Sequence, residues 1–600
     1  MTIWELPHGY GRAKPDVVSY GANVMGSALD ERCRSLSGTS VASPVVTGAV
    51  ALMLSGIEDG ALWNAGVVKQ ALIEGAVRLS DTASIFEQGA GKVDLMKSFK
   101  FMRKYKPQIT LFPSHLDSLD CPYLWPFCAD PLYAGAISKV VNVTIVSGLA
   151  VSSRIEGEPV WEPFTPESGQ HLRVAVTHSA QIWPWTGFMA VHLSVPEESA
   201  NYTGTVTGRV RITVVSDFYG EKRWASIAFP MRLRIIPTPA RSQRILWDQF
   251  RNLRYPPGYI PRDDLRDKQN PLDWNGDHPH TNFRLFSQHM RADGFFLEIL
   301  GEPLSCVDLS SYSVYLVVDA EEEYFPEEVE QVRKAVEEDG LNVIVLADCW
   351  RIVLCSANVP SLNYLLSSWG IEFADRVVEG NLTIHDVHSS IKSGAAISRA
   401  PANSYLAFGD VIDITDEIIS GDVAQQKPAR LPVFALVRLN RTGSGFISVF
   451  SDSSCLESRA ASIDSCVPLL DLLLDAAAYG VPHDFCDHLT QMPHPFSLSL
   501  SRPTRSAVSK NFASLDVTDR SHEAFGRIVS SYSTVQRETR ARSISAYPPR
   551  MLQEPLTSAP QPGMIYPFLS ICIFLVLFLL LAKLCRWKMP RTRILGTRIL

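Results

Sequence analysis

The strongest constraint on how this chain folds lies in residues 40–54, SVASPVVTGAVALML, which are almost all small or apolar. Pro44 falls in what we expect to be the first turn of a helix, where its missing N–H costs nothing. A helix without a polar stripe is predicted to be buried on all sides in a larger body. The start of such a helix favours negative charge, so the hydroxyl of Ser40 is placed to act as a nucleophile. Serine is also a common N-cap, and a capping role is the alternative for this residue.

The string around this serine favours the catalytic role. Gly38, Thr39 and Ser40 open GTSVASP, which resembles the G-T-S-x-A-x-P signature of subtilisin-like serine proteases. Upstream, GRAKPDVVSYG resembles the K-P-D-V strand that leads to the nucleophile loop of this family, and downstream, FEQGAGKVDLMKSF resembles the end of the same domain. Further similar strings, among them CPYLWPFC and RILWDQFRNLRYPPGYIPRDDL, extend the resemblance to about residue 482 and to a membrane-bound branch of the family. The resemblance implies that Ser40 is the catalytic nucleophile and that Gly38 and Thr39 belong to the same nucleophile and oxyanion loop.

The resemblance also implies catalytic partners that precede the serine in the order Asp, His, Asn. His8 lacks the H-G-T-x-x-A-G surroundings, and Asp16 belongs to the K-P-D-V element, so we assign neither to a triad. We therefore expect residues 1–105 to be the C-terminal part of a subtilisin-like α/β domain, N-terminally truncated from a longer secretory-pathway protein. Because loss of the triad costs subtilisin about 10⁶-fold in turnover, the chain as given is expected to be nearly inactive alone.

The expected activity follows from the same resemblance. It implies a serine endopeptidase that cleaves lumenal segments of membrane-bound precursors, including transcription factor precursors, after R-x-x-L-like sites. It also implies calcium as a cofactor, although the sequence identifies no calcium ligands. The alternative is a non-catalytic type I membrane protein in which the domains after residue 105 form a binding module.

Beyond residue 105 the hydrophobic pattern changes twice. Residues 106–240 alternate apolar and polar positions between turn residues, which predicts a β-sandwich. Residues 241–485 alternate apolar strands with amphipathic helices, which predicts an open α/β sheet of the flavodoxin or amidotransferase kind. Cys349 follows one of these strands, but the glycines of a sharp nucleophile turn are missing, so no second active site is predicted. The histidines and acids of DWNGDHPHTNF match no metal-ligand spacing, so no metal site is predicted either.

The C-terminal region is expected to anchor the protein. Residues 486–563 are rich in Ser, Pro, Arg and Thr, which predicts a flexible stalk. Residues 564–582 contain no charge and are long enough to cross a bilayer as a helix. Residues 583–600 carry lysines and arginines without an acid, so the positive-inside rule places this basic tail in the cytosol. We therefore expect type I topology, with the body in the lumen of the endoplasmic reticulum or Golgi apparatus.

Charge and cysteine usage agree with that location. A net charge of −7 with dispersed basic residues gives no nucleic-acid signature, so protein substrates and the lipid bilayer are the expected partners. Two pairs of cysteines lie close in sequence without the C-x₂-C spacing of a zinc site, and we expect them to form disulfides in an oxidising lumen. These pairs are Cys121 with Cys128 and Cys455 with Cys466. The candidate glycosylation sites are Asn142, Asn201, Asn381 and Asn440.

Overall fold

The computed structural model describes twelve segments of the chain. They are residues 12–27, 33–79, 83–218, 220–252, 278–280, 282–347, 357–384, 387–414, 428–439, 445–456, 463–481 and 483–498. Within these segments, no helix is both long and apolar enough to cross a membrane. The predicted transmembrane helix at 564–582, the basic tail at 583–600 and the stalk beyond residue 498 lie outside the described residues.

The first domain consists of a short hairpin followed by helices. Its elements are β1 (Val24–Ser27), β2 (Cys33–Leu36), α1 (Thr39–Ser55), α2 (Ala65–Gly75), α3 (Ile85–Gln88) and α4 (Leu95–Arg103). Side chains satisfy N–H groups that a first helical turn leaves without partners. The Asn64 side chain accepts a hydrogen bond from the Val67 N–H at the start of α2. Asp94 accepts one from the Lys97 N–H at the start of α4.

Helix α1 is half exposed, so the prediction that it is buried on all sides is wrong. Met53 is its one fully buried residue, whereas Leu52 is 61% exposed. The reason is that α1 packs on one side only, where Met53 joins Val67 of α2 and Met102 of α4 in a small apolar cluster. No described element covers the opposite face to a similar extent. The helix also begins at Thr39, so Pro44 lies in its second turn and not in the first turn as expected.

The second domain is a β-sandwich, as the alternating pattern predicts. Its elements are β3 (Ile109–Phe112), β4 (Leu116–Asp117), β5 (Lys139–Ser147), β6 (Arg154–Ile155), β7 (Val160–Pro163), α5 (Pro166–Gly169), β8 (Arg173–His178), β9 (Thr186–Ser194), β10 (Gly204–Phe218) and β11 (Glu221–Ile235). One sheet has the order β3-β5-β9-β8, and the other has the order β4-β11-β10-β6 with β7 also paired to β10. Val143 and Val191 of the first sheet share one buried apolar cluster with Val210 and Phe229 of the second. The two sheets therefore enclose a common core.

The third domain is built on one mixed sheet. Its elements are β12 (Arg244–Asp248), α6 (Arg284–Ala292), β13 (Phe296–Leu300), β14 (Val314–Val318), α7 (Pro326–Glu338), β15 (Asn342–Leu346), α8 (Val359–Leu366), β16 (Glu372–Ile384), β17 (Val387–Ala400), β18 (Tyr405–Asp413), β19 (Ala429–Arg438), β20 (Phe446–Phe450), α9 (Ile463–Tyr479), α10 (His483–Asp487), β21 (Thr490–Gln491) and β22 (Phe496–Ser497). The strand order is β13-β12-β14-β15-β20-β19-β18-β16-β17-β22, and β21 pairs with β18.

Only half of this sheet is the parallel sheet that the sequence predicts. Strands β13, β12, β14, β15 and β20 are parallel neighbours. From β20 onward, β19, β18, β16 and β17 pair in antiparallel fashion. Strands β21 and β22 also pair with this part of the sheet, so the domain continues to residue 497, past the boundary predicted at 485. Residues 486–498 are therefore part of the third domain and not of the predicted stalk.

Candidate active site

Two glycines determine how the chain enters α1. Gly38 precedes the helix with φ 146° and ψ 165°, a backbone region that only glycine occupies readily. Its N–H donates a 2.7 Å hydrogen bond to the carbonyl oxygen of Gly21. A Cβ atom on Gly21 would lie 3.0 Å from the Gly38 carbonyl oxygen and 3.1 Å from the Ala42 Cβ. The segment that ends at Gly21 therefore passes directly beside the start of α1.

The three strings that carry the family resemblance lie together in the structure. The Val18 N–H donates to the Gly91 carbonyl at 2.9 Å, and the Val93 N–H donates back to the Val18 carbonyl at 3.0 Å. The Ala90 N–H adds a 2.9 Å bond to the Asp16 carbonyl. The upstream string thus pairs with the downstream string, while its last glycine contacts the loop before Ser40. The upstream and downstream strings, which are more than 70 residues apart, therefore form one hydrogen-bonded framework next to the loop of Ser40.

Ser40 is the exposed second residue of α1. The first backbone bonds of the helix are donated by Val41 and Ala42 to the Gly38 carbonyl, at 3.1 and 3.2 Å. Pro44 has no N–H, so it cannot donate to the Ser40 carbonyl one turn before it. The serine hydroxyl therefore lies in the first turn, at the end of the helix where the partial charge of the macrodipole is positive. This environment favours negative charge beside the hydroxyl.

Asp16 has a structural role. Its carboxylate lies 2.5 Å from Lys14 Nζ and 3.2 Å from Lys69 Nζ, so it joins the upstream string to α2. Burial works to raise the pKa of Asp16, but Lys69 and Lys14 together outweigh it and hold the pKa below its ordinary value. A carboxylate paired with two lysines is not free to orient a histidine. Among the described residues, no imidazole or carboxylate hydrogen-bonds to Ser40, and His8 lies outside them.

We expect the substitution Gly38→Ala to destabilise the start of α1. A non-glycine residue held in this backbone region costs about 1–3 kcal/mol. The matched control is Gly48→Ala in the same helix, where a Cβ meets nothing within 4 Å and alanine is expected to stabilise by about 0.5–1 kcal/mol. Hydrogen exchange of the α1 amides measures both effects. Equal protection in the two variants would contradict the assignment of strain to Gly38.

The structure joins both predicted cysteine pairs in disulfides. Cys121 bonds to Cys128 with their Cα atoms 5.7 Å apart, and Cys455 bonds to Cys466 with Cα atoms 5.8 Å apart. The first bridge closes the CPYLWPFC loop beside the β-sandwich. The second joins the region after β20 to the start of α9.

The candidate glycosylation sites differ in exposure. Asn201 lies in an exposed turn before β10, and Asn381 is exposed on β16. Asn142 lies in β5 and is only 7% exposed, which does not favour an attached glycan at this position. The sequon falls on a strand in the interior of its sheet, between β3 and β9. Asn440 lies outside the described residues.

Calcium is the metal that the family resemblance implies. The described residues of the first domain contain no group of three His, Cys, Asp or Glu side chains close enough to hold one ion. The described part of the chain brings three such side chains together at one place, in the third domain, and that set includes a histidine. Hard cations such as calcium take oxygen ligands, so this set does not fit calcium.

The sequence analysis missed a buried charged cluster at the carboxyl ends of the parallel strands. Arg251, which is fully buried, lies 2.5 Å from Asp248 Oδ2 and 2.6 Å from Glu328 Oε2. The Tyr315 hydroxyl donates to Asp248, and the guanidinium lies 3.9 Å from the centroid of the Tyr324 ring. Burial works to lower the pKa of Arg251, but Asp248 and its other acidic neighbours raise it well above its ordinary value. The only sequence signal was the string WDQFRN directly after an apolar strand.

This strand edge is where open α/β sheets bind ligands. Here the charges already have partners of opposite sign inside the protein. Such internal pairing fits a structural role for the cluster. Cys349, the residue that follows β15 and was considered as a second nucleophile, lies outside the described residues.

Three family models match successive parts of this chain. The model described as "Subtilase family" matches residues 5–91, which include the loop and helix of Ser40. The model described as "MBTPS1, third Ig-like domain" matches residues 112–238. The model described as "MBTPS1, fourth GATase-like domain" matches residues 239–354 and 348–485. The matches and the framework around Ser40 together define a protein of the subtilase class.

Named relatives identify one family within the subtilase class. The human "Membrane-bound transcription factor site-1 protease" is 42% identical over 521 residues, which cover 82% of this chain and 49% of the relative. The rat protein of the same name is 43% identical over 535 residues, which cover 84% of this chain and 50% of the relative. "Subtilisin-like protease SBT6.1" of Arabidopsis thaliana is 42% identical over 511 residues, which cover 80% of this chain and 48% of the relative. The chain belongs to the site-1 protease family of subtilases.

The chain spans about half the length of the curated relatives it matches. Among solved structures, "mmIFT52 N-terminal domain" is 14% identical and matches 40% of this chain and 99% of that chain with a TM-score of 0.29. A score of that size supports no argument about the fold.

Proposed function

We propose that Ser40 is the nucleophile of a membrane-anchored serine endopeptidase. The observation that carries this proposal is the exposed hydroxyl at the positive end of α1, in a GTSVASP string held by the contact between Gly38 and Gly21. The Ser40 Oγ attacks the carbonyl carbon of the scissile peptide bond. Its own N–H, in the first turn of the helix, faces the negative charge that develops on the carbonyl oxygen.

The proton of the Ser40 hydroxyl needs an acceptor. In subtilases a histidine takes it, an aspartate orients the histidine, and an asparagine completes the oxyanion hole. We propose that this chain as given lacks the triad Asp and His and is inactive alone. Asp16, with its two lysine partners, does not supply the missing carboxylate.

The proposed substrates are lumenal segments of membrane-bound precursors, cut after R-x-x-L-like sites. The name of the human and rat relatives supports this class, since it describes a membrane-bound protease for transcription factors. In this proposal residues 564–582 anchor the chain in the membrane of the endoplasmic reticulum or Golgi apparatus, with the three domains in the lumen. Tethering raises the effective concentration of substrate segments that lie close to the same membrane. Calcium dependence is proposed by analogy with other subtilases.

A chimera tests the proposed activity. The part of the human relative that this chain matches is replaced by the chain, and the product is compared with the chain alone. We expect the chimera to cleave a lumenal R-x-x-L reporter and the chain alone to leave it intact. A folded chimera that shows no cleavage would contradict the proposed activity, and cleavage by the chain alone would contradict the proposed lack of a triad.

A second candidate function is a non-catalytic membrane-bound binding module. The observation that favours it is the contrast between the half-exposed α1 and the well-packed cores of the second and third domains. If this function is correct, cells export the chain folded and unaggregated without any protease partner. Retention and degradation of the chain would instead favour the protease.

A further inference from the structure

Three side chains that can ligate a metal meet where α6 lies beside α9. The Nε2 atom of His289 lies 3.0 and 3.1 Å from the two carboxylate oxygens of Asp471 and 3.1 Å from Oδ2 of Asp293. All ligand atoms of the set lie within 4.8 Å of one another. His289 is on α6, Asp293 follows the end of that helix one turn later, and Asp471 is on α9. Two separate elements therefore present one nitrogen and two carboxylates to the same point.

Hydrogen bonding alone does not account well for this arrangement. A single imidazole nitrogen carries one proton or one lone pair, yet three carboxylate oxygens approach it. The local charge is also unbalanced, because Asp293 and Asp475 are further acids that act on Asp471. A cation at the centre of the set would relieve the repulsion between the carboxylates.

We propose that His289, Asp293 and Asp471 form a binding site for a divalent transition metal, with zinc as the expected occupant. An imidazole with two carboxylates suits zinc better than calcium or magnesium, which take oxygen ligands. Three protein ligands leave a position for water, as in open zinc sites. The side chains are 37%, 45% and 35% exposed, so the ion and its water can enter from solvent.

The position of α6 suggests what the ion does. At the other end of this helix, the Arg284 guanidinium lies 3.3 Å from Glu87 Oε1 of the first domain and 4.4 Å from the centroid of the Trp125 ring. Arg291 lies 2.5 Å from Asp130 Oδ1, in the loop that precedes β5 of the sandwich. Helix α6 therefore contacts all three domains. A metal that fixes α6 to α9 holds these contacts in place, which is a structural role for the ion.

The test measures metal binding directly. The full chain, prepared without a histidine tag and with the exposed thiols of Cys33 and Cys306 alkylated, is stripped with a chelator and titrated with Co²⁺ and Zn²⁺. We expect one equivalent of Co²⁺ to give visible d–d absorption and Zn²⁺ to displace it. His289→Gln and Asp471→Asn are each expected to weaken binding by at least about 30-fold, within the range reported for changes around metal sites. Zinc is also expected to slow hydrogen exchange in α6.

A second histidine provides the matched control. His115 Nε2 lies 3.0 Å from Asp120 Oδ2, but its other close partner is the hydroxyl of Ser114 and not a second acid. His115→Gln should leave binding unchanged. If His289→Gln does not fold, Asp293→Asn at the exposed end of α6 gives the same measurement. No stoichiometric binding, or binding that survives these substitutions, would overturn the proposal and leave the set as an ion pair only.

Discussion

Replacement of Ser40 by alanine is expected to abolish cleavage of a lumenal R-x-x-L reporter by the chimera with the human relative. Without the hydroxyl no acyl-enzyme can form, and loss of the nucleophile in subtilisin costs about 10⁶-fold in turnover. The fold should persist, because Ser40 is exposed and its side chain does not cap α1. The measurement is the rate of reporter cleavage at saturating substrate, with circular dichroism to verify the fold.

The matched control for this prediction is Ser43→Ala. Ser43 is also exposed and lies about one turn further along the same helix. Its backbone carbonyl, and not its side chain, accepts a 3.1 Å hydrogen bond from the Thr47 hydroxyl. Cleavage should therefore be close to that of the unmodified chimera. Similar losses in both variants would show that the start of α1 matters only for folding, and residual cleavage by Ser40→Ala would place the nucleophile elsewhere.

The loop of Ser40 could be predicted because its geometry is encoded locally. Gly38 permits the left-handed backbone before the helix and Pro44 fixes its own φ, and the spacing between them is visible in the sequence. The burial of α1 could not be predicted in the same way. An apolar pattern shows which residues would gain from burial, but it does not show which other elements cover them. Ser40 lies in the first turn of a helix, as the sequence predicts, but that helix is half exposed and not buried on all sides.

The third domain also contains elements that the sequence predicts and elements that it does not. The strings VYLVV and VIVL are continuous apolar runs, and they lie in buried parallel strands, β14 and β15. Strand β17, by contrast, includes Ser389, Ser390 and Lys392, so its alternation is obscured and the antiparallel half of the sheet escaped prediction. The cluster of His289 was missed for a different reason. Its third member, Asp471, lies more than 180 residues away, and only the packing of α6 beside α9 brings the two together.

The buried cluster of Arg251 could not be predicted, since arginine is rarely fully buried.

The burial of Arg251 leads to the second large expected effect. Arg251→Ala should destabilise the third domain by about 3–5 kcal/mol, because it leaves Asp248 and Glu328 as buried carboxylates without their cation. Hydrogen exchange of the amides in β12 and β14 measures this loss in the full chain. Glu328 also accepts a 2.9 Å bond from the Phe325 N–H, so the start of α7 should lose protection as well.

The control is Arg333→Ala on the outer face of α7. Arg333 also pairs with two acids, Glu330 at 2.5 Å and Glu337 at 2.6 Å, but its side chain is 36% exposed. Water replaces a lost partner at such a position, so the expected loss of stability is much smaller than that of Arg251→Ala. A large difference between the two variants would establish that burial, and not the number of ion pairs, makes Arg251 important. Equal effects would mean that the strand-end cluster is open to water, and the same edge of the sheet would then have to be reconsidered as a ligand site.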